Sequence, residues 1–159
     1  MTAGDAYDAA PFVIDARDGA GPRLVTTGLI DPARCLWGTR ACRYLRRDLL
    51  HPRLVLGESA TRSLQRRVAA SRRPKILVAG LSKVVECFLD RDGEHIGAVS
   101  TFSIYHPHDD VRALEALCEH LLSTAVSERF RVELGAGALG GGNTTMRKDF
   151  LRQLRLPVG

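Results

Sequence analysis

Apolar residues change rhythm along this chain. Between residues 75 and 105 they fall in short β-branched runs; on either side they recur every three or four positions. Ile76-Leu77-Val78 is bounded by Pro74 and Gly80. Pro74 cannot sit inside a helix and biases Arg73 toward extended backbone, so the run predicts a strand buried on both faces. Val84–Leu89 predicts a second strand, Asp90-Arg91-Asp92-Gly93 a hairpin turn with glycine where φ is positive, and Ile96–Tyr105 a third strand closed by Pro107. Three successive strands with short links predict an antiparallel meander.

The helical rhythm gives four elements. Glu58–Ser71 pairs Leu64 with Val68, with Ser59 or Thr61 as cap. Val111–Leu122 opens at Asp109-Asp110 and carries a stripe of Leu114, Leu117, Cys118 and Leu121. Thr124–Leu134 spaces Val126, Phe130 and Leu134 by four, and Arg147–Leu154 is a short basic helix capped near Thr145. In the N-terminal half, residues 1–22 are rich in Ala, Gly and Asp and predict a linker with one short strand at Pro11–Ile14. Val25-Thr26-Thr27 favours a strand, Gly28 a bend and Asp31-Pro32 a turn. Arg40, Arg43, Arg46 and Arg47 fall at helical spacing, which His51-Pro52 and Gly57 interrupt. The expected fold class is α+β: one domain over 23–159, with an antiparallel sheet on 75–105 packed by helices near 58–71, 111–134 and 147–154.

Charge sharpens this picture. Residues 23–91 hold fifteen bases against five acids, 92–128 one base against seven acids, and 129–159 six bases against two acids. Of the 23 cations, 20 are arginine, the side chain that grips phosphate and guanine bidentately. Segregation on this scale favours a polyanionic partner. The cationic face of the 58–71 helix reads either as solvated or as tracking phosphates. Trp37, the single tryptophan, reads as a core or lid residue or as a base-stacking platform.

Chemistry of its own is not apparent. No Ser/His/Asp arrangement, metal-ligand cluster, P-loop or methyltransferase Asp-Pro-Pro-Tyr tetrapeptide occurs. His106 and His108 are close enough in sequence to approach one another. Gly135–Asn143 contains a literal GxGxxG, but a helix precedes it and no acid follows Asp149, so it predicts a backbone-exposing loop and no dinucleotide site. The four cysteines are widely spaced and predict free buried thiols in a cytoplasmic protein. No apolar run reaches the roughly 18 residues of a membrane helix, and no secretory signal is visible.

The order of several short segments resembles the TaqI-like C-terminal specificity domain of adenine-N6 DNA methyltransferases, also found in type IIG restriction-modification enzymes. The segments are LVTTGLIDP (24–32), RPKILVAGLSK (73–83), FLDRDGEH (88–95), VSTFSIYH (99–106), ALEALCEHLLST (113–124) and GGGNTTMRKDFLRQLRLP (140–157). Where family members carry Leu-Asn-Ser, this chain has Leu122-Ser123-Thr124. The resemblance implies a target-recognition domain that reads double-stranded DNA. The catalytic methyltransferase domain and its S-adenosylmethionine would lie elsewhere in the parent, with no catalytic residue and no cofactor here.

On that reading Arg72, Arg73, Lys75, Ser82 and Lys83 sit at the DNA face, Arg62, Arg66 and Arg67 hold phosphates, and Thr144, Thr145, Arg147 and Lys148 approach DNA after the Gly-rich loop. The alternative is a protein-interaction domain that docks a catalytic subunit.

Overall fold

The computed structural model describes residues 3–135 and 142–154. The N-terminal half holds α1 (Ala3–Ala9), β1 (Val13–Asp15), β2 (Arg23–Val25), β3 (Ile30–Asp31), β4 (Arg34–Cys35), β5 (Cys42–Tyr44), β6 (Arg47–Leu49), β7 (Pro52–Leu54) and α2 (Arg62–Ser71). The C-terminal half holds β8 (Lys75–Ala79), β9 (Leu81–Ser82), β10 (Cys87–Asp90), β11 (His95–Gly97), β12 (Thr101–Ile104), α3 (Val111–Leu121), α4 (Thr124–Leu134), β13 (Thr144–Thr145) and α5 (Lys148–Gln153). Mainly antiparallel sheets packed by helices make this an α+β fold. No helix among the described residues is long and apolar enough to cross a membrane.

β8 is the centre, and all five of its residues are buried. Its alternating side chains divide the core as a strand must. Ile76 and Val78 face a cluster with Leu114, Leu121, Phe130 and Phe150 of the C-terminal helices. Leu77 and Ala79 face a second cluster with Val25, Leu29, Ile30 and Phe88. The expectation of a strand buried on both faces holds.

The expected meander does not. The sheet order is β10-β8-β12, with β8 antiparallel to both neighbours. The chain leaves β10 through the predicted turn, but β11 departs to pair in parallel with β2 in the order β1-β7-β2-β11. The Asp90 carboxylate braces the departure. It accepts the backbone N–H groups of Glu94 (3.1 Å) and His95 (3.0 Å), which turns the chain outward. Gly93 has φ +65°, and a Cβ there would lie 2.2 Å from the Arg72 carbonyl, so only glycine fits. At the return, Gly80 N–H donates to Ser100 O (2.8 Å), an approach that a Cβ on Gly80 would also block.

Three further expectations change. Residues 3–15 are no linker: Ala6 and Ala9 of α1 are buried in the core with Leu24, Leu54 and Leu64, the Tyr44 hydroxyl donates to Ala6 O (2.8 Å), and β1 pairs β7. Arg43, Arg46 and Arg47 lie not on a helix but on the β5–β6 hairpin, whose two-residue turn has positive φ at Leu45 (45°) and Arg46 (69°); Arg40 precedes it in a turn. α2 starts at Arg62, with the Thr61 hydroxyl accepting from Leu64 N–H. Both α3 and α4 match expectation, capped by Asp110 and Ser123. The Gly-rich stretch 136–141 lies outside the described residues.

Candidate nucleic-acid interface

The C-terminal segment returns to the middle of the domain. β13 pairs β9, setting Thr144 against Ser82 and Thr145 against Leu81, and Met146 N–H donates to Gly80 O (2.9 Å). Met146 and Phe150 are buried in the helical core, and the Phe150 ring meets Phe130 of α4 edge-on at 5.6 Å. These contacts anchor α5, and the residues between the anchors, Arg147, Lys148 and Asp149, are exposed.

Lys148 then lines a cleft of about 340 Å³ with Arg67 of α2 and Thr101, Ser103 and Tyr105 from β12 and its continuation. The floor is Ile96 and Gly97 of β11. Leu64 and Val68 explain how α2 presents its wall: they bury one stripe and leave Arg62 and Arg66 in solvent. Arg67 is half-buried and held by Asp5 of α1 at 2.8 Å. The Arg73 guanidinium lies over the Tyr105 ring, 5.6 Å from its centroid. Arg73 is also bound by Asp109 (2.7 Å) and by the His106 carbonyl (3.1 Å). Burial pushes the Tyr105 phenol up, with Ser103 and Arg73 pulling against it. The Asp109 hydrogen bond raises Arg73. The cleft therefore offers the Lys148 ammonium, the Asp5-bound Arg67 guanidinium, the Ser103 hydroxyl and a neutral phenol to phosphate oxygens and base edges, while the Ser71 and Thr101 hydroxyls donate to the Val68 (2.8 Å) and Ala98 (2.7 Å) carbonyls.

The sequence-predicted residues divide as follows. Arg67 and Lys148 share the cleft, and Arg73 adjoins it through Tyr105. Lys83, Thr145 and Arg147 are exposed on or beside the paired β9 and β13 strands. Arg62, Arg66, Lys83, Arg147 and Lys148 form no ion pair among the described residues.

Four expectations are corrected. Lys75 is fully buried, because its strand is covered on both sides; its ammonium is held by Asp90 (2.5 Å) and the Ser71 carbonyl (2.6 Å). Ser82 is buried and donates to Val84 O (2.5 Å), and Thr144 opposite it is buried too. Arg72 is exposed but turned away from Arg73: it lines a separate cavity with Arg23, Arg53, Asp92 and Glu94. The helix near Thr145 is not capped by it, since Thr145 is in β13 and α5 starts at Lys148 with no side-chain cap.

Sequence reasoning missed Thr101, Ser103 and Tyr105 as cleft residues. A signal was present: a strand carrying two hydroxyls at i, i+2 and a tyrosine two further on has one polar edge. Trp37 is structural. Its indole donates to Pro52 O (2.8 Å), and the guanidinium groups of Arg23 and Arg53 cover its ring at 4.9 and 5.2 Å. His106 and His108 do approach, ring to ring at 5.9 Å. Charge segregation is partly cancelled in space, because Arg23, Arg73 and Arg91 of the basic segment pair with Glu94, Asp109 and Glu115 of the acidic one. Among the described residues no three His, Cys, Asp or Glu side chains are grouped as metal ligands would be. No protein-family model and no curated protein sequence matches the chain.

Proposed function

We propose that the chain binds double-stranded DNA sequence-specifically as the target-recognition domain of an adenine-N6 DNA methyltransferase. Methyl transfer, with S-adenosylmethionine, belongs to a separate catalytic domain. The observation that carries the reading is that Arg67 and Lys148, from distant parts of the sequence, meet in one cleft whose remaining polar wall is hydroxyl groups. Arg62 and Arg66 on α2, with Lys83 and Arg147 beside β9 and β13, have no ion-pair partner among the described residues and can hold phosphates. Phosphate contacts, those of Arg67 and Lys148 among them, fix position, while Arg73 and the cleft hydroxyls read base edges. For Arg73 this requires exchanging the exposed Asp109 carboxylate for a guanine edge or a phosphate. An exposed pair of this kind is weak in water, so the exchange is easy.

Selection from a randomised duplex pool tests the reading. One enriched motif is expected with the unaltered chain, its recovery lost with Lys148→Glu and with Arg67→Glu and kept with Arg43→Glu, a control on the distant β5–β6 hairpin. An unenriched pool contradicts sequence-specific recognition. No S-adenosylmethionine binding by the isolated chain is expected; saturable binding would place the cofactor site here and overturn the division of labour.

A further inference from the structure

Cys87 of β10 and Cys118 of α3 are free thiols whose sulfurs lie 3.8 Å apart, although 31 positions separate them in sequence. α3 packs directly on β10, so the contact joins two regular elements of one core. The other two cysteines, Cys35 and Cys42, belong to a different cluster. A disulfide needs its sulfurs at about 2.05 Å, so the pair must close from 3.8 Å for a bond to form.

The two thiols differ in access. Cys118 lines a surface cavity of about 230 Å³ with Ala33, Leu89, Glu115 and Leu122, whereas Cys87 is wholly closed to solvent behind it. They differ in protonation too. The hydrogen bond to Cys87 pulls the Cys118 thiol down, against burial and the charges of Glu119 and Glu115. The same bond and burial push Cys87 up. Cys118 is thus the thiol that a reagent in the cavity meets, with Cys87 in contact behind it.

We propose that Cys87 and Cys118 form a modification site for low-molecular-weight disulfides, which convert the pair to an intrachain disulfide. The Cys118 thiolate attacks one sulfur of the oxidant, breaking its S–S bond and releasing one thiolate. Cys87 then attacks the Cys118 sulfur, its proton passing to the second thiolate as that group is expelled. The pair loses two electrons and two protons, and the oxidant is reduced to two thiols.

The experiment exposes the full chain to oxidised glutathione, quenches it in acid, unfolds it and maps its thiols by mass spectrometry. The expected result is loss of two of the four thiols, a Cys87–Cys118 cross-linked peptide, reversal by dithiothreitol and a higher melting temperature for the oxidised form. Cys118→Ser removes the cross-link and Cys35→Ser keeps it. Mapping on the unaltered chain decides the matter even if a variant fails to fold. Four thiols retained, a glutathione adduct resting on Cys118 without a cross-link, or a bond to Cys35 or Cys42 overturns the proposal.

Discussion

Lys75 and Asp90 stand opposite one another across the β8–β10 ladder, ammonium and carboxylate 2.5 Å apart and both shut off from solvent. The same carboxylate accepts from the backbone of Glu94 and His95 and from the His95 ring, 3.0 Å away. The ammonium also caps the end of α2 through the Ser71 carbonyl. One buried ion pair thus fixes strand register, the exit of β11 and the end of the helix that carries Arg67. Removing one partner leaves an uncompensated buried charge, which typically costs about 3–5 kcal/mol. Lys75→Met is expected to lose that much in urea unfolding. Asp90→Ala is expected to lose at least as much, because it also strips the acceptor from two backbone amides.

Acid stability should report the same carboxylate. Burial pushes Asp90 up, but hydrogen bonds from His95 and Lys75, together with the Lys75 and His95 charges, outweigh it and hold the group at about 2, below its ordinary 3.8. A depressed carboxylate favours the folded state above the unfolded value. Its contribution is full above about pH 4 and is lost as pH falls toward 2, on the order of 2 kcal/mol. Unfolding free energy measured across this range should fall steeply in the unaltered chain and less in Asp90→Asn.

At the alkaline end Tyr44 contributes. Burial pushes its phenol up to about 12 from 10, so the fold holds the proton that the unfolded chain releases. This stabilisation is complete below pH 10 and is lost as pH rises toward 12, about 2–3 kcal/mol in all. Tyr44→Phe is expected to cost about 1 kcal/mol at neutral pH by losing the bond to Ala6 O, and to flatten the alkaline limb.

The β5–β6 turn is paid in backbone strain. Leu45 and Arg46 both adopt the left-handed region, which costs non-glycine residues roughly 1–2 kcal/mol each. Replacing the pair with Asn-Gly, the sequence this turn type prefers, should stabilise the chain by about 1–2 kcal/mol in thermal or urea unfolding. Part of the gain is offset by the lost packing of Leu45 against the core.

Local signals in the sequence were enough for the elements whose stability is local. The α3 and α4 helices follow from one cap and one apolar stripe each, and the β8 strand from a continuous apolar run between Pro74 and Gly80. Pairing was not legible. Whether β11 extends a meander or crosses to another sheet depends on the contacts of the Asp90 carboxylate, which a hairpin motif does not reveal. The hairpin arginines were misplaced because spacings of three and four also fit two short strands and a turn. For the site, the unpaired cations of α2 and α5 were visible as charge on amphipathic helices. Lys75 was not separable from them, since its burial depends on a partner 15 positions away. The hydroxyl wall of the cleft was hidden in a segment that reads first as a strand.

On the proposed function, cations gathered around the Arg67–Lys148 cleft grip a nucleic-acid backbone. Equilibrium binding to a short duplex across a series of salt concentrations measures this most directly. The expected result is an affinity that falls steeply and log-linearly with salt, with the slope reduced by about two in the Arg67→Glu/Lys148→Glu double variant. A flat salt response, or a double variant that binds as tightly as the unaltered chain, contradicts it.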